Sequence, residues 1–212
     1  MMGRREERLP REVMADIEAA GIRRGVPLLA VDADEVLVEF AAHLARWLDA
    51  MGYEMRLTEY RLEGAIFGAG EADPVSFEGA IRLIDAFFEE ETRAQQALAG
   101  AVEAVSRLGR EAQVVVLTNV PRPARAARVT NLAGLGIEAP VVANAGGKGR
   151  ALRLMAEKAD APVVFVDDSP GQIESAAKHS DHVARIHFRG SPYIRPVLPP
   201  SALAHDDVGD WT

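Results

Sequence analysis

Residues 28–36 read LLAVDADEV, a short apolar run followed at once by two aspartates, Asp32 and Asp34. A continuous apolar run of this length is typical of a strand buried on both faces of a parallel sheet. In open sheets of this kind, ligands bind outside the carboxyl ends of the strands. The stretch therefore predicts a buried strand that delivers both carboxylates to a ligand-binding edge.

Three further stretches, VVVLTN, NAGGKG and PVVFVDDSP, place reactive side chains where a strand should end or soon after it. Those side chains belong to Thr118, Asn119, Lys148, Asp167 and Asp168. Because the carboxyl ends of parallel strands meet at one edge, we expect these groups to converge in a single crevice with the two aspartates of the first stretch.

From residue 95 onward, apolar strand patterns alternate with amphipathic helix patterns. This alternation is the signature of a doubly wound α/β domain with a mainly parallel, Rossmann-like sheet. The first strand, at 27–31, belongs to the same sheet. Further strands are predicted at 113–117, 140–143, 162–166 and 183–188, and helices at 10–20, 97–109, 122–134, 149–158 and 171–178.

The segment between the first strand and residue 95 is far longer than an ordinary connection of about 4 to 6 residues. It carries apolar residues at helical spacing near 40–51 and near 81–88, whereas 53–78 reads as loops and short helices. We expect a core domain of residues 1–39 and 95–212 and a small helical cap of residues 40–94. The proline-containing end of the chain is expected to be irregular, with a solvated acidic tail at 205–207.

Composition excludes several classes of protein. The chain has 212 residues, a formal net charge of −8 and no cysteine. Nonspecific binding to a nucleic acid polymer needs a basic surface, and disulfides or thiolate zinc sites need cysteine. Neither a secretory leader nor a run of about 18 apolar residues is present. We therefore expect a cytoplasmic protein that binds neither nucleic acid polymers nor membranes; nothing in the sequence indicates its oligomeric state.

The clustered carboxylates favour a metal site. Asp32, Asp34, Asp167 and Asp168 cannot easily stay ionised together in a partly buried crevice, because like charges raise one another's pKa. A hard divalent cation removes that difficulty, and Mg²⁺ commonly binds through one or two carboxylates and a substrate phosphate oxygen. We predict these four aspartates as Mg²⁺ ligands, with Asp168 as the principal anchor and a backbone carbonyl of the first stretch as a further possible ligand.

The same residues suggest phosphoryl transfer from a small phosphorylated metabolite. A carboxylate that attacks phosphorus forms an aspartyl-phosphate, and we assign Asp32 as this nucleophile. Asp34 would protonate the leaving oxygen and then deprotonate the attacking water. Thr118, Asn119 and Lys148 would bind the phosphoryl oxygens, the first two in part through the backbone.

Taken singly, each motif has a plainer interpretation. The Asp32–Asp34 pair and Asp167–Asp168 also suit turns or helix caps, Thr118 with the following residue suits a capping element, and Lys148 suits a solvated loop. A zinc site among His179, His182 and His187 is disfavoured because no matching ligand spacing accompanies them. It is improbable that four such motifs occur by chance in this order at strand ends, so their combination favours the catalytic interpretation.

VDADEV, LTN, Lys148 and VDDSPGQI resemble the four motifs of the haloacid dehalogenase superfamily, over residues 27 to about 188. The resemblance implies a phosphatase more than a dehalogenase, because dehalogenases lack the second aspartate, here Asp34. The paired aspartates of the last motif and the insertion are similar to deoxyribonucleotidase-like members. Two residues depart from the family pattern, Glu35 in place of Gly and Gln172 in place of a further Asp. These two departures leave a second function possible, that of a non-catalytic binding or regulatory protein with the same fold. A phosphomutase is a further alternative to the phosphatase.

Overall fold

The computed structural model describes residues 8–212, so residues 1–7 of the predicted core domain lie outside the described residues. The strands are β1 (Leu28–Val31), β2 (Tyr53–Met55), β3 (Ile66–Gly68), β4 (Gln113–Thr118), β5 (Val141–Ala143), β6 (Val163–Asp167), β7 (Ala184–Phe188) and β8 (Asp206–Val208). The α-helices are α1 (Arg11–Ala19), α2 (Ala41–Ala50), α3 (Phe77–Glu91), α4 (Ala101–Leu108), α5 (Arg125–Gly134), α6 (Gly149–Ala159) and α7 (Pro170–His179), with a 3₁₀ turn at Arg122–Ala124 before α5.

Six strands form one parallel sheet in the order β5-β4-β1-β6-β7-β8. Val31 at the end of β1 is level with Val116 of β4 and Val166 of β6. This register brings the ends of three neighbouring strands to the same edge. The predicted α/β class with a doubly wound, Rossmann-like parallel sheet is confirmed.

Helices cover both faces of this sheet, and each face has its own apolar cluster. On one face, residues of α1, α6 and α7, including Ile17, Met155 and Ile173, pack against β1, β4 and β6. On the other, residues of α4 and α5, including Val105 and Leu132, pack against the same strands. The alternating apolar positions of β1 thus serve two cores, which explains why its sequence is apolar without interruption.

Residues 40–94, here called the cap segment, contain α2 and α3 joined by an antiparallel pair of strands, β2 and β3. The loops predicted across 53–78 make up most of that stretch, but two short strands pair there where short helices were expected. Each has only three residues, too few for an alternation to stand out from the surrounding polar sequence. The cap segment has its own apolar cluster, centred on Leu44, Leu48, Ile66 and Phe87.

Two other expectations need correction. The helix predicted at 97–109 begins only at Ala101, because Gly100 before it adopts a left-handed φ of 81°. The end of the chain is not simply irregular: β8 adds to the sheet beside β7. His205 and Asp207 of the acidic tail are engaged, since His205 accepts a hydrogen bond from the backbone of Arg185, and Asp207 pairs with His187 at 2.7 Å.

Within residues 8–212, no helix is both long and apolar enough to cross a membrane.

Candidate active site

Three aspartates meet at the carboxyl edge of the sheet. Asp32 follows β1, while Asp167 ends β6 and Asp168 follows it. One carboxylate oxygen from each lies within 4.8 Å of the others, and all three residues are buried. Since β1 and β6 are hydrogen-bonded neighbours, strand pairing brings together residues that are 135 or more positions apart.

Lys148 lies between these carboxylates. Its Nζ is 2.7 Å from both Asp32 Oδ1 and Asp167 Oδ2, and the residue is only 1% exposed. The lysine is therefore not a solvated loop residue. It precedes α6, and its backbone N–H donates to Gln172 Oε1 at 2.8 Å. The next residue, Gly149, packs so closely on α7 that an added Cβ would collide with the Ser175 carbonyl.

Burial and neighbouring charge shift the pKa values of this cluster. Burial raises the pKa of Asp32 to about 7; Lys148 opposes that rise, and Asp167 and Asp34 add to it. Burial also raises the pKa of Asp168 well above its usual range, with Asp167 and Asp32 contributing. Burial would lower the pKa of Lys148, but Asp167 and Asp32 outweigh it and raise that pKa. Lys148 therefore remains charged, whereas ionisation of Asp32 and Asp168 in this buried site is unfavourable.

The donor set fits a hard divalent cation, because carboxylate oxygens are the ligands that Mg²⁺ prefers. Asp167 already uses both oxygens, one on Lys148 and the other on the Ser169 backbone N–H. Asp32 Oδ1 accepts the Ala33 N–H and faces Lys148, which leaves its second oxygen for a metal. Asp32 and Asp168 would therefore hold the ion, with Asp167 as the residue that orients Lys148.

Asp34 does not belong to this cluster, although the sequence predicts it as a ligand. Its Oδ1 accepts from Arg128 Nη2 at 2.5 Å and from Gln95 Nε2 at 3.3 Å. The carboxylates whose oxygens lie within 4.8 Å of one another are those of Asp32, Asp167 and Asp168, so no contact supports the predicted role of the Asp34 side chain as a metal ligand. Asp34 still lines the cavity beside Asp32, and its acid/base role stays a prediction.

Thr118 and Asn119, at the end of β4, differ in their accessibility. The Thr118 side chain is fully buried, and its hydroxyl accepts the Val120 N–H at 3.2 Å, as the capping interpretation expects. Asn119 lines the cavity and donates to the Gly146 carbonyl at 2.9 Å. The Asn119 side chain lines the cavity with its amide held by Gly146 and Asn144. The Thr118 hydroxyl keeps its own O–H as a donor, so its predicted binding of a phosphoryl oxygen stays a prediction.

A cavity of about 290 Å³ opens above the aspartates, between the core and the cap segment. Its floor is formed by Asp32, Lys148 and Asp168. Apolar and polar side chains of both units form the walls, among them Phe40, Leu57, Tyr60, Arg61, Leu62, Phe88, Asn119 and Ile194. A small ligand with a charged end and a less polar remainder suits this lining.

One contact at the cavity could not be read from the sequence motifs. The hydroxyl of Tyr60, from the β2–β3 connection, donates to Asp168 Oδ2 at 2.8 Å and so joins the cap segment to the acidic cluster. Burial and Asp168 both raise the pKa of Tyr60, which keeps this hydroxyl a donor. Nothing in the spacing of Tyr60 indicated this partner, because the contact spans 108 residues.

Glu35 has a local role that explains its departure from the family pattern. It adopts a left-handed φ of 62°, the conformation that Gly takes most easily. Its Oε1 accepts the backbone N–H groups of Phe40 and Ala41, at the start of α2. Burial raises the pKa of Glu35, and a hydrogen bond from Ser191 and these two N–H groups oppose the rise. The side chain thus caps the first helix of the cap segment.

Comparisons with known proteins extend this picture. No family model matches the sequence, and no curated protein matches it. Several solved structures are similar. A haloacid dehalogenase family hydrolase from Deinococcus radiodurans R1, with bound phosphate and sodium, is 18% identical, with a TM-score of 0.59, 90% of this chain and 93% of that chain being covered.

Two further structures show the same relation. CbbY from Rhodobacter sphaeroides, in complex with phosphate, is 18% identical with a TM-score of 0.58, over 88% of this chain and 95% of that chain. A haloacid dehalogenase superfamily hydrolase of subfamily IA from Geobacter sulfurreducens PCA is 21% identical with a TM-score of 0.54, over 88% and 96%. From the sheet order and these matches over most of both chains, we conclude that this chain has the fold of the haloacid dehalogenase-like hydrolases.

Proposed function

We propose that the protein is a Mg²⁺-dependent phosphatase that hydrolyses a small phosphomonoester through an aspartyl-phosphate on Asp32. The observation that carries this proposal is the meeting of Asp32, Asp168 and the buried Lys148 at one edge of the sheet. The phosphate bound in two structures of the same fold supports it.

In the first step, the Asp32 carboxylate attacks phosphorus, and the bond from phosphorus to the ester oxygen breaks. Asp34 gives its proton to that oxygen, so the leaving group departs as a neutral alcohol. In the second step, Asp34 takes a proton from water, whose oxygen attacks phosphorus. The bond from phosphorus to the Asp32 oxygen breaks, which restores the Asp32 carboxylate and releases inorganic phosphate. Lys148 and Asn119 would meet the negative charge of the phosphoryl oxygens.

A bound Mg²⁺, held by Asp32 and Asp168, would supply charge neutralisation for the phosphoryl group. The cap segment lines the cavity above this site, and its apolar side chains would limit the access of bulk water to the reacting atoms. As to substrate, we propose a small phosphorylated metabolite, with a nucleotide as the first candidate, and we place the enzyme in the cytoplasm, without membrane or nucleic acid polymer partners.

The test is phosphate release from 4-nitrophenyl phosphate with MgCl₂, with EDTA and with Asp32→Asn. Release should need the metal and vanish in the variant. Asp160→Asn is the matched control, because Asp160 is an exposed aspartate that pairs with Arg24 at the surface. Metal-independent release, or release unaffected by Asp32→Asn, contradicts the proposal. Magnesium binding without turnover of any member of a broad phosphometabolite panel favours the non-catalytic alternative.

A further inference from the structure

Arg128 is a fully buried arginine whose guanidinium binds Asp34 at the edge of the candidate site. It lies on α5 with no exposed surface. Its Nη2 donates to Asp34 Oδ1 at 2.5 Å and to Gln95 Oε1 at 2.8 Å, and its Nη1 donates to Asn131 Oδ1 at 3.1 Å. A guanidinium held from two sides in this way has a fixed orientation, and so does the carboxylate that it binds.

Gln95 completes the arrangement. Its amide group donates to the same oxygen of Asp34 at 3.3 Å and to the Glu39 carbonyl at 3.0 Å. Asn131 donates to the carbonyls of Arg93 and Gln95 at 3.2 and 2.7 Å. Residues 39 and 93–95 are where the chain enters and leaves the cap segment. The network therefore joins Asp34 to both connections of the cap.

Both bonds to Asp34 go to Oδ1, and Asp34 lines the cavity. Resting on the proposed function, we propose that Arg128 and Gln95 are positioning residues, which hold Oδ1 so that Oδ2 faces the ester oxygen of the substrate. The proton then moves between Asp34 Oδ2 and that oxygen as the bond from phosphorus to the leaving group breaks and the bond from Asp32 to phosphorus forms. Arg128 and Gln95 do not touch the substrate.

A leaving-group series distinguishes positioning from a merely structural role. The value of kcat/KM reports the first step, in which Asp34 acts as the acid, and is insensitive to the later attack by water. Nitrophenolate leaves without a proton, whereas a benzyl alkoxide needs one. In Arg128→Met, we expect kcat/KM for benzyl phosphate to fall by roughly tenfold more than kcat/KM for 4-nitrophenyl phosphate. Arg128→Lys should recover part of this difference.

A double-mutant cycle tests whether Arg128 acts through Asp34. In the Asp34→Asn background, Arg128→Met should have little further effect on kcat/KM for benzyl phosphate. Arg125→Met is the matched control, because Arg125 lies on the same helix and pairs with a different buried aspartate, Asp16, at 3.0 Å. The control should lower kcat/KM for both esters equally or not at all.

Equal losses for the two esters in Arg128→Met, or a full further loss in the Asp34→Asn background, would overturn the proposal. If Arg128→Met does not fold, Gln95→Leu removes the second donor and must show the same preference for the activated ester. Absence of any magnesium-dependent phosphate release by the unmodified protein would instead reject the proposed function. Release that needs Asp32 but shows no leaving-group effect in Asp34→Asn would reject the acid role of Asp34 and with it the positioning role, and would leave the phosphatase activity through Asp32 standing.

Discussion

Among single residues, Lys148 offsets part of the negative charge of the three clustered aspartates. The three clustered aspartates carry −3 when ionised and Lys148 carries +1, which leaves −2 in a buried site. One divalent cation would cancel that charge. Without it, the protein must either keep like charges together or bind protons, and burial, with Asp167 and Asp34, raises the pKa of Asp32 in the direction of proton binding.

The pH dependence of metal stabilisation follows from this balance. The pKa of Asp32 rises from 3.8 to about 7 on folding, mainly through burial. The folded metal-free protein therefore binds more protons than the unfolded chain between these values, and its stability falls as pH rises through that window. Mg²⁺ binds the ionised site, so we expect saturating MgCl₂ to raise Tm more at about pH 8 than at about pH 5.5.

Differential scanning fluorimetry at both pH values measures this difference. Asp168→Asn should remove most of the rise in Tm at the higher pH, whereas Asp160→Asn should leave it unchanged. An equal rise at both pH values would show that proton and metal do not compete for these carboxylates.

Glu35 offers a matched pair of substitutions. Glu35→Gln keeps an oxygen that can accept the Phe40 and Ala41 N–H groups, so we expect the free energy of unfolding to change by less than about 0.5 kcal/mol. Glu35→Ala loses the cap and keeps the left-handed backbone, and should cost about 1–2 kcal/mol. Urea denaturation measures both; similar losses for the two variants would mean that the capping contacts contribute little.

Among the larger elements, the core strands other than β8 were predictable, while the interior of the cap segment was not. Core strands such as β4 and β6 are continuous apolar runs bounded by turn residues, a signal contained within each run. The strands β2 and β3 pack instead on residues distant in sequence, since Ile66 of β3 shares an apolar cluster with Leu48 of α2 and Phe87 of α3. Phe40 adds to the packing around α3: its ring meets Phe87 edge-on at 5.5 Å and stacks on Phe88 at 5.3 Å.

Phe87 is the centre of this packing, and its removal should loosen the cap segment. It is fully buried and its ring also meets Trp47 at 5.8 Å. We expect Phe87→Ala to cost about 3–5 kcal/mol, since both transfer energy and a cavity are involved, and Phe87→Leu to cost clearly less. Urea denaturation with tryptophan fluorescence reports the change, and Phe77→Ala, at an exposed position of α3, is the control. Equal stability of the Phe87 and Phe77 variants would contradict this packing role.

At the scale of the whole molecule, the candidate site combines contacts of two kinds. Asp32, Asp167, Asp168 and Lys148 could be predicted because parallel strands deliver their ends to one edge. Arg128 could not, because a buried arginine on a helix looks like any solvated charge until its partner, 94 residues away in sequence, is known. Such partners are fixed by how the cap segment and the helices pack, which local patterns do not encode.

The end of the chain also contacts the core through residues that are far apart in sequence. The side chain of His187 on β7 contacts Asp207 on one side and the carbonyl of Asp168 at 2.9 Å on the other. Trp211 donates from Nε1 to the carbonyl of Val36 at 2.8 Å and packs on Phe188, with ring centroids 5.0 Å apart. The tail thus contacts the loop after Asp34 and, through His187, the backbone of the metal-binding segment.

Substitution of Trp211 separates these contributions. Trp211→Phe keeps much of the packing on Phe188 but removes the only N–H donor of the side chain, so we expect a loss of about 1 kcal/mol in the free energy of unfolding. Trp211→Ala removes the packing as well and should cost about 2–4 kcal/mol, less than a fully buried tryptophan because this one is partly exposed. Urea denaturation of both variants measures the difference. Because the loop after Asp34 loses its support, Trp211→Ala should also lower kcat for 4-nitrophenyl phosphate, and unchanged stability in both variants would show that the tail does not hold the core.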